Sequence, residues 1–339
     1  MKSTVFIILV SMLSNMQLCS KEVEFSNVRG FIFGSTYSIV YQSSKTIAPD
    51  SLKKNIETIL HSFEKSLSSY DSSSLISRIN RNEDVKADAY IEEIYSNSVM
   101  LSELSGGAFD ITVGPLMRAW GFGANANRNF TEQKRDSLLG LVGMDKVRME
   151  NGRIIKSNPN VVIDFNAMAK GFSVDLVARH LNGLGIENYL VEIGGEVRVR
   201  GTRNGNLWRI GIDRPSDDNF VQGRLPLHAV IQITDRAMAT SGNYRRFYIE
   251  DGVKYAHTMD PKTGYPARNR LLSVTALADE CGIADGIATV CMALGHEKAR
   301  EFINSHPEYS VFMIYSTLDG GMESWMSESL KEYITEAAQ

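Results

Sequence analysis

The chain has few cysteines and no excess of basic residues, and each shortage excludes a class of function. Only three cysteines occur in 339 residues. Two of them, Cys281 and Cys291, fit no metal or redox spacing, and we expect both to be packing residues. Lysine and arginine together number 36 against 40 acidic residues, and no basic run occurs, which argues against electrostatic capture of nucleic acid. A small molecule or a protein is therefore the expected substrate.

Long apolar runs are also scarce. The run at residues 5–13 is too short to span a bilayer, follows Lys2 and ends in a polar break before Cys19, as in a secretory signal. Cys19 followed by serine and lysine predicts a lipoprotein, in which the cysteine becomes the acylated first residue. Residues 16–18 lack the small residue usual before such a cysteine, so a cleaved soluble periplasmic protein is the alternative. We predict a signal peptide over residues 1–19.

The rest of the chain shows both helical and strand periodicity. Residues 30–41 alternate apolar and polar side chains and predict a broken pair of strands, residues 161–163 predict a buried strand, and residues 189–201 predict two strands around a glycine break. An apolar stripe at helical spacing predicts an amphipathic helix, with Leu52, Ile56, Ile59, Leu60, Phe63 and Leu67. No repeat or linker divides the mature chain. We therefore predict one α+β domain over residues 25–335, built of antiparallel sheets packed with helices.

One loop carries a candidate catalytic histidine. Asp251 and Gly252 predict a tight hairpin, whose return strand ends at His257 beside a loop rich in proline and glycine. Loops held by a rigid sheet concentrate catalytic groups, and histidine has the side-chain pKa closest to neutrality. A hydrogen-bonded packing role for His257 is the alternative from the residues alone.

A second candidate site lies on an apolar helix at residues 283–294. Asp285 and Thr289 are one turn apart, on roughly the opposite side from the main apolar face, and that side also lacks lysine and glutamate. Such a helix is expected to be buried all round, and a buried carboxylate needs a partner. The pattern indicates either a hard cation with oxygen ligands or an aspartate that caps a neighbouring loop.

Several motifs, in order, carry a resemblance to a known family. The loop at His257 reads His-x-x-Asp-Pro-x-Thr-Gly-x-Pro, residues 107–110 read Gly-Ala-Phe-Asp, and residues 164–175 read Asp-x-Asn-Ala-x-x-Lys-Gly-x-x-x-Asp. Together the matching segments run from Phe33 to about Gly295, and they resemble the ApbE family of periplasmic FAD:protein FMN transferases. The resemblance implies a T-fold-like architecture.

The resemblance also implies the residues that bind the nucleotide. Phe33 stands where the family has a methionine that packs on the flavin nucleotide, Tyr70 matches a tyrosine of the FAD site, and Asp164 and Lys170 match residues that hold the nucleotide. The implied FAD contacts are Phe33, Tyr70, Ala108, Phe109, Asp110, Asp164, Lys170 and Met259. From the residues alone, Phe33 could equally be a core residue and Lys170 a solvated lysine at a helix start.

A magnesium site follows from the same resemblance. Its implied ligands are Asp285, Thr289 and the backbone carbonyl of Ala167. Here Asn166 and Ala167 replace two glycines of the family motif, which puts loop flexibility in doubt more than metal binding, because a backbone ligand tolerates a side chain. Ala288 stands where some relatives have a further aspartate, which leaves the full ligand set open.

The activity that the resemblance implies is Mg²⁺-dependent transfer of FMN from FAD to a threonine hydroxyl, with release of AMP. His257 is the candidate to accept the hydroxyl proton, with Asp260 or a metal-bound water as alternatives. The partner is expected to be an exported or membrane-bound flavoprotein subunit, and the protein itself is expected at the periplasmic face of the inner membrane. Two other functions stay open: hydrolysis of FAD to FMN and AMP, and flavin binding without turnover.

Overall fold

The computed structural model describes residues 23–44, 46–123, 126, 128–215, 227–243, 247–250 and 253–337. The α-helices within these residues are α1 Pro49–Leu67, α2 Leu75–Asn80, α3 Ala89–Leu104, α4 Gly114–Ala119, α5 Glu132–Leu139, α6 Ala169–Gly183, α7 Cys281–Leu294 and α8 His296–Ser305. The strands are β1 Phe25–Ile32, β2 Ser35–Gln42, β3 Val147–Glu150, β4 Arg153–Lys156, β5 Tyr189–Ile193, β6 Glu196–Arg200, β7 Trp208–Asp213, β8 Leu227–Ile233, β9 Ala237–Gly242, β10 Phe247–Glu250, β11 Val253–Ala256, β12 Leu271–Ala278, β13 Ser310–Ser316, β14 Met322–Met326 and β15 Ile334–Ala337. Of the helices described, none is long and apolar enough to cross a bilayer.

An eight-stranded antiparallel sheet forms the centre of the fold, in the order β1-β2-β5-β6-β9-β12-β13-β14. A three-stranded antiparallel sheet, in the order β15-β8-β7, packs against it. The strands β3 with β4 and β10 with β11 form two separate hairpins. These antiparallel sheets, combined with the helices, confirm the predicted α+β class.

Alternate residues of the central strands enter different layers of the core. In β13, Val311 and Met313 pack with the helices, whereas Phe312 and Ile314 pack with the small sheet. The period of two in a strand sends successive side chains to opposite faces. The central sheet therefore lies between a helical layer and the three-stranded sheet.

Local sequence signals account for the elements that frame the site. Helix α1 begins at Pro49, and all but Ile59 of its predicted apolar stripe is buried. The β5–β6 hairpin turns at Gly194 and Gly195, whose φ angles are +62° and +102°, a region that favours glycine. The β10–β11 hairpin pairs Glu250 with Val253, as expected, although the predicted turn at residues 251–252 lies outside the described residues.

The predicted strand at residues 161–163 is wrong. Ile163 donates its N–H to Asn80 Oδ1 at 2.8 Å, and its carbonyl accepts from Asn80 Nδ2 at 2.9 Å. A side-chain amide thus satisfies the backbone groups that a strand neighbour would otherwise take. Val161 and Ile163 are still buried and Val162 is half-buried, so the apolar pattern predicted the burial of this segment but not its hydrogen-bond partner.

Cys281 and Cys291 are free and buried, as predicted. The predicted signal peptide, residues 1–19, lies outside the described residues and stays a prediction. The chain after residue 316 adds β14 to the central sheet and β15 to the small one.

Candidate functional site

The site is built where the start of α6 lies against α7. The Gly171 N–H donates to Asp285 Oδ2 at 3.1 Å. A Cβ atom on Gly171 would lie 2.3 Å from the Cys281 carbonyl oxygen and 2.9 Å from Asp285 Cβ. Because no side chain fits there, glycine is what lets the two helix backbones approach so closely. This approach places Asp285 at the first turn of α6.

The three predicted metal ligands all lie along this helix contact. The Thr289 hydroxyl donates to the Ala167 carbonyl at 3.3 Å, and Asp285 precedes Thr289 by one turn of α7. The end of β9 joins them, because Ser241 Oγ lies 3.4 Å from Thr289 Oγ1. A carboxylate, a hydroxyl and a backbone carbonyl are all hard oxygen donors of the kind that Mg²⁺ binds. The donor set therefore fits a hard divalent cation.

The site does not take the form of a carboxylate or histidine cluster. Among the residues that the structure describes, no group of three or more His, Cys, Asp or Glu side chains is placed to hold a metal ion. Any cation at Asp285 would thus depend on the hydroxyl and carbonyl oxygens from Thr289 and Ala167 as well.

The charge on the Asp285 carboxylate carries an electrostatic cost because the side chain is buried. Its pKa is raised to about 7, mainly by burial and also by the negative charge of Glu196, whereas Lys170 and the Gly171 N–H act in the opposite direction. A bound cation would offset the same burial by favouring the ionised carboxylate. Burial therefore favours the protonated carboxyl, and a cation would favour the carboxylate.

Lys170 stands beside Gly171 and pairs with a buried acid. Its Nζ lies 2.5 Å from Glu196 Oε1, and Glu196, the first residue of β6, is 1% exposed. A lysine at the start of a helix adds to the positive end of the helix dipole, and both favour an anion such as a diphosphate.

Asp164 lies in a turn that connects three segments of the chain. Its N–H donates to the Ile111 carbonyl at 2.7 Å, and its Oδ1 accepts from the Asn166 N–H at 2.9 Å. Asn166 in turn donates to Ser69 Oγ at 2.9 Å. Burial is the main cause of a raised pKa at Asp164. The turn therefore brings residues 69 and 111 to the start of α6.

The three candidates at residues 108–110 are placed differently from one another. Ala108 is half-buried, and the Phe109 ring is 1% exposed and belongs to the core. Asp110 Oδ1 accepts from the Thr112 N–H at 2.7 Å and from the Thr112 hydroxyl at 2.5 Å. Burial raises the pKa of Asp110. Their contacts with a nucleotide stay predictions, and Phe109 as placed here offers backbone atoms rather than its ring.

Phe33 occupies the turn between β1 and β2. Its φ is +52° and that of Gly34 is +71°, and Ile32 pairs with Ser35, which defines a two-residue turn of the type I′ kind. An aromatic residue rarely adopts this conformation, so the turn is strained at Phe33. The half-buried ring packs edge-on against Phe63 with centroids 5.8 Å apart.

Tyr70 is the most exposed of the candidates, at 66%. It borders a shallow groove together with His61, Glu64, Lys65, Ser68 and Asp71. The hydrogen bond between the neighbouring Ser69 and Asn166 ties this segment to the Asp164 turn.

His257 follows β11 and is half-buried, with its ring centroid 6.4 Å from that of Phe122. The next residue, Thr258, donates to Asn243 Oδ1 at 3.3 Å. Asn243 lies just beyond the end of β9, two residues after the Ser241 that contacts Thr289. The histidine loop and the α7 oxygens are therefore linked through the end of one strand.

The loop after His257 is held by its own side chains. Asp260 accepts from the Lys262 N–H and from the Thr263 hydroxyl, both at 2.9 Å, and Trp120 Nε1 donates to the Gly264 carbonyl at 3.0 Å. Met259 is buried in a cluster with Leu116, Trp120, Phe122 and Val142. The Asp260 carboxylate is therefore engaged in hydrogen bonds within the turn, which favours His257 over Asp260 as the group that accepts a proton.

A family model and two sets of relatives match most of the chain. The model of the ApbE family matches residues 33–313. The chain belongs to the ApbE family. A relative from Vibrio cholerae named FAD:protein FMN transferase is 36% identical over 94% of this chain and 95% of its own, and one of the same name from Haemophilus influenzae is 34% identical over 96% of each.

Solved ApbE structures have the same fold. The flavin transferase ApbE from Vibrio cholerae superposes with a TM-score of 0.82 at 36% identity, covering 92% of this chain and 99% of that one. The apo form of the Pseudomonas stutzeri flavinyl transferase ApbE gives 0.83 at 30% identity, covering 93% and 98%. The ApbE fold expected from the motifs is confirmed.

Within this ApbE fold, sequence reasoning missed the role of Asp175. Its carboxylate accepts from the N–H groups of Cys281 and Gly282 at 2.9 and 2.8 Å, and Arg198 donates to it at 2.5 Å. It caps the start of α7, the helix that carries Asp285 and Thr289. Its place in the 164–175 motif was visible in the sequence, but its partners lie more than 20 residues away along the chain.

Proposed function

We propose that this protein is a Mg²⁺-dependent FAD:protein FMN transferase that attaches FMN to a threonine hydroxyl of a partner protein and releases AMP. Membership of the ApbE family and the names of its relatives support flavin transfer. The observation that carries the proposal is the contact of α7 with the start of α6 beside Lys170, where Asp285 accepts from the Gly171 N–H and the Thr289 hydroxyl donates to the Ala167 carbonyl.

The reaction exchanges one phosphorus–oxygen bond for another. The threonine oxygen bonds to the phosphorus of the FMN half, the bond from that phosphorus to the AMP half breaks, and the hydroxyl loses its proton. Mg²⁺ held by Asp285, Thr289 and Ala167 would neutralise and orient the diphosphate. Lys170, at the start of α6, contacts the anionic nucleotide, and the first turn of the helix favours negative charge there.

His257 accepts the hydroxyl proton in this proposal. It follows β11, in a loop that the Asp260 turn holds rigid, and β9 links this loop to the α7 oxygens. Asp164, Phe33, Tyr70, Asp110 and Met259 are assigned to FAD binding, together with the backbone at residues 108–109. Met259 and Asp110 are held in place by buried contacts, which suits pre-organised binding groups.

The acceptor is proposed to be an exported or membrane-bound flavoprotein subunit with an accessible threonine. The apolar run at residues 5–13 and Cys19 support export and a lipid anchor at the periplasmic face of the inner membrane. An exported transferase would meet only acceptors that share its compartment.

The test is incubation with FAD, Mg²⁺ and a candidate acceptor, followed by mass analysis of nucleotides and protein. We expect AMP together with an acceptor whose mass has risen by FMN, and a fluorescent band that survives denaturing electrophoresis. The acceptor's Thr→Ala variant should lose the band. Release of free FMN and AMP with every exported flavoprotein of the source organism would establish hydrolysis instead, and absence of AMP in all cases would leave flavin binding without turnover.

A further inference from the structure

Two tight turns and the start of α6 meet around one lysine side chain. At the β5–β6 turn, a Cβ atom on Gly194 would lie 3.4 Å from Lys170 Cδ and 3.1 Å from Ser35 Oγ. Ser35 begins β2 directly after the strained Phe33–Gly34 turn. The aliphatic part of the Lys170 side chain therefore packs against Gly194, between the two hairpins. A larger residue at position 194 would press against the lysine side chain.

The ammonium group of Lys170 pairs with Glu196, a buried carboxylate whose backbone belongs to the central sheet. The Glu196 side chain is 2% exposed, whereas that of Lys170 is 40% exposed, and their charged atoms are 2.5 Å apart. Glu196 is the first residue of β6 and pairs with Ile193 across the hairpin, so its backbone is held by the central sheet. A buried carboxylate is costly unless it is paired, which makes Glu196 a rigid anchor for the ammonium group.

The anchor bears on the proposed reaction because a lysine side chain is otherwise flexible. Fixing its rotamers costs conformational entropy, and an unpaired lysine would have to be ordered whenever the nucleotide is bound. An ammonium carries three N–H donors, so pairing with Glu196 is compatible with a contact to a phosphate oxygen. The Glu196 carboxylate and a diphosphate are both negatively charged and repel each other, so a direct contact between Glu196 and the substrate is unfavourable.

We infer that Glu196 is a positioning residue that holds Lys170 toward the diphosphate of FAD, acting through the lysine and not on the substrate. The inference rests on the proposed function, since it takes Lys170 as a nucleotide contact. Glu196→Gln removes the charge but keeps the shape. It is expected to lower kcat for AMP release at least tenfold. The affinity for FAD in EDTA should change less than about threefold, because the Lys170 side chain becomes less ordered while the repulsion between Glu196 and the diphosphate disappears, and these two effects oppose each other.

The double variant with Lys170→Met separates positioning from other roles. If Glu196 acts through the lysine, Glu196→Gln lowers kcat in the parent but has no further effect on kcat when Lys170 is already methionine. In that background it should raise the melting temperature, because it removes a buried carboxylate that has lost its partner. Glu196→Asp, which keeps the charge on a shorter side chain, should lie between the parent and the glutamine variant in kcat.

The matched control is Glu93→Gln, which removes the acid that pairs at 2.6 Å with Arg179, another basic residue of α6. It should leave kcat and FAD affinity unchanged. An unchanged kcat in Glu196→Gln, an equal loss with and without Lys170, or an equal loss in the control would each overturn the inference. If the parent itself releases no AMP from FAD, the proposed function fails first. If Glu196→Gln lowers the melting temperature but leaves kcat unchanged, the pair is purely structural and the inference is also refuted.

Discussion

Replacing Asp285 by asparagine should have opposite effects on activity and on the stability of the metal-free protein. Asparagine keeps the size of the side chain and an oxygen that can accept from the Gly171 N–H. The substitution removes the negative charge of the carboxylate, which is unfavourable in a buried position but is needed to bind a cation. AMP release that depends on Mg²⁺ should therefore be lost, while the apo protein gains stability at alkaline pH.

The size of the gain follows from the pKa of Asp285. Burial raises it from 3.8 to about 7, so the folded protein binds a proton at this site over a pH range where the unfolded chain has released it. The contribution of Asp285 to the free energy of unfolding is then most favourable below pH 3.8 and declines as the pH rises toward 7, above which the full cost of the buried charge applies. The difference between these two pKa values corresponds to up to about 4 kcal/mol.

The assay is thermal unfolding of parent and variant in EDTA at pH 8 and at pH 4.5, repeated at pH 8 with Mg²⁺. In EDTA the variant should melt higher than the parent at pH 8, and the difference should shrink at pH 4.5. Mg²⁺ at about 100 times its Kd should stabilise the parent by about 2.7 kcal/mol and leave the variant unchanged.

Asp175→Asn is the matched control on the facing helix. Burial raises the pKa of Asp175 as well, but its carboxylate pairs with Arg198 and caps α7, and these contacts are lost in the variant. Here the same substitution should destabilise the protein at pH 8 by roughly 3 kcal/mol or more, because Arg198 loses its buried partner. The reasoning is refuted if Asp285→Asn melts no higher than the parent in EDTA at pH 8, or if Mg²⁺ still raises its melting temperature.

Three further predictions test the remaining assignments. His257→Ala should bind FAD with unchanged affinity but release AMP roughly 10²-fold more slowly, measured by nucleotide chromatography, and unchanged turnover with weaker binding would make it a contact residue. Phe33→Asn should weaken FAD binding about tenfold in a flavin fluorescence titration, with little change in melting temperature, since the lost ring contact with Phe63 is offset by a residue suited to positive φ. Cys19→Ser should move the protein from the membrane to the soluble fraction of fractionated cells, whereas an unchanged distribution would exclude the lipid anchor.

Sequence periodicity predicted the parts of the site that lie within single elements. The spacing of Asp285 and Thr289 placed both on one buried helix, and α7 is buried along most of its length. The Gly34 break predicted the β1–β2 hairpin. These features depend on local propensity and on the fraction of apolar residues, which a sequence displays directly.

Pairs between distant elements could not be predicted in the same way. Lys170 and Glu196 lie 26 residues apart, on a helix and a strand, and neither sequence neighbourhood signals the other. Gly171 gave no sign that a Cβ atom there would meet the Cys281 carbonyl. The same limit explains the wrong strand at residues 161–163, where the apolar pattern predicted burial but could not show that Asn80 would replace a neighbouring strand.

The replacement of two motif glycines by Asn166 and Ala167 has a physical explanation in the turn itself. Neither residue has a positive φ, so the backbone of this turn does not require glycine. Ala167 offers its carbonyl to Thr289, and its methyl group leaves that oxygen available. Asn166 adds a hydrogen bond to Ser69, beside the exposed Tyr70. Because the substitution keeps the carbonyl and restrains the turn, it is expected to be compatible with the proposed cation site and to stiffen the link between Ala167 and the Tyr70 segment.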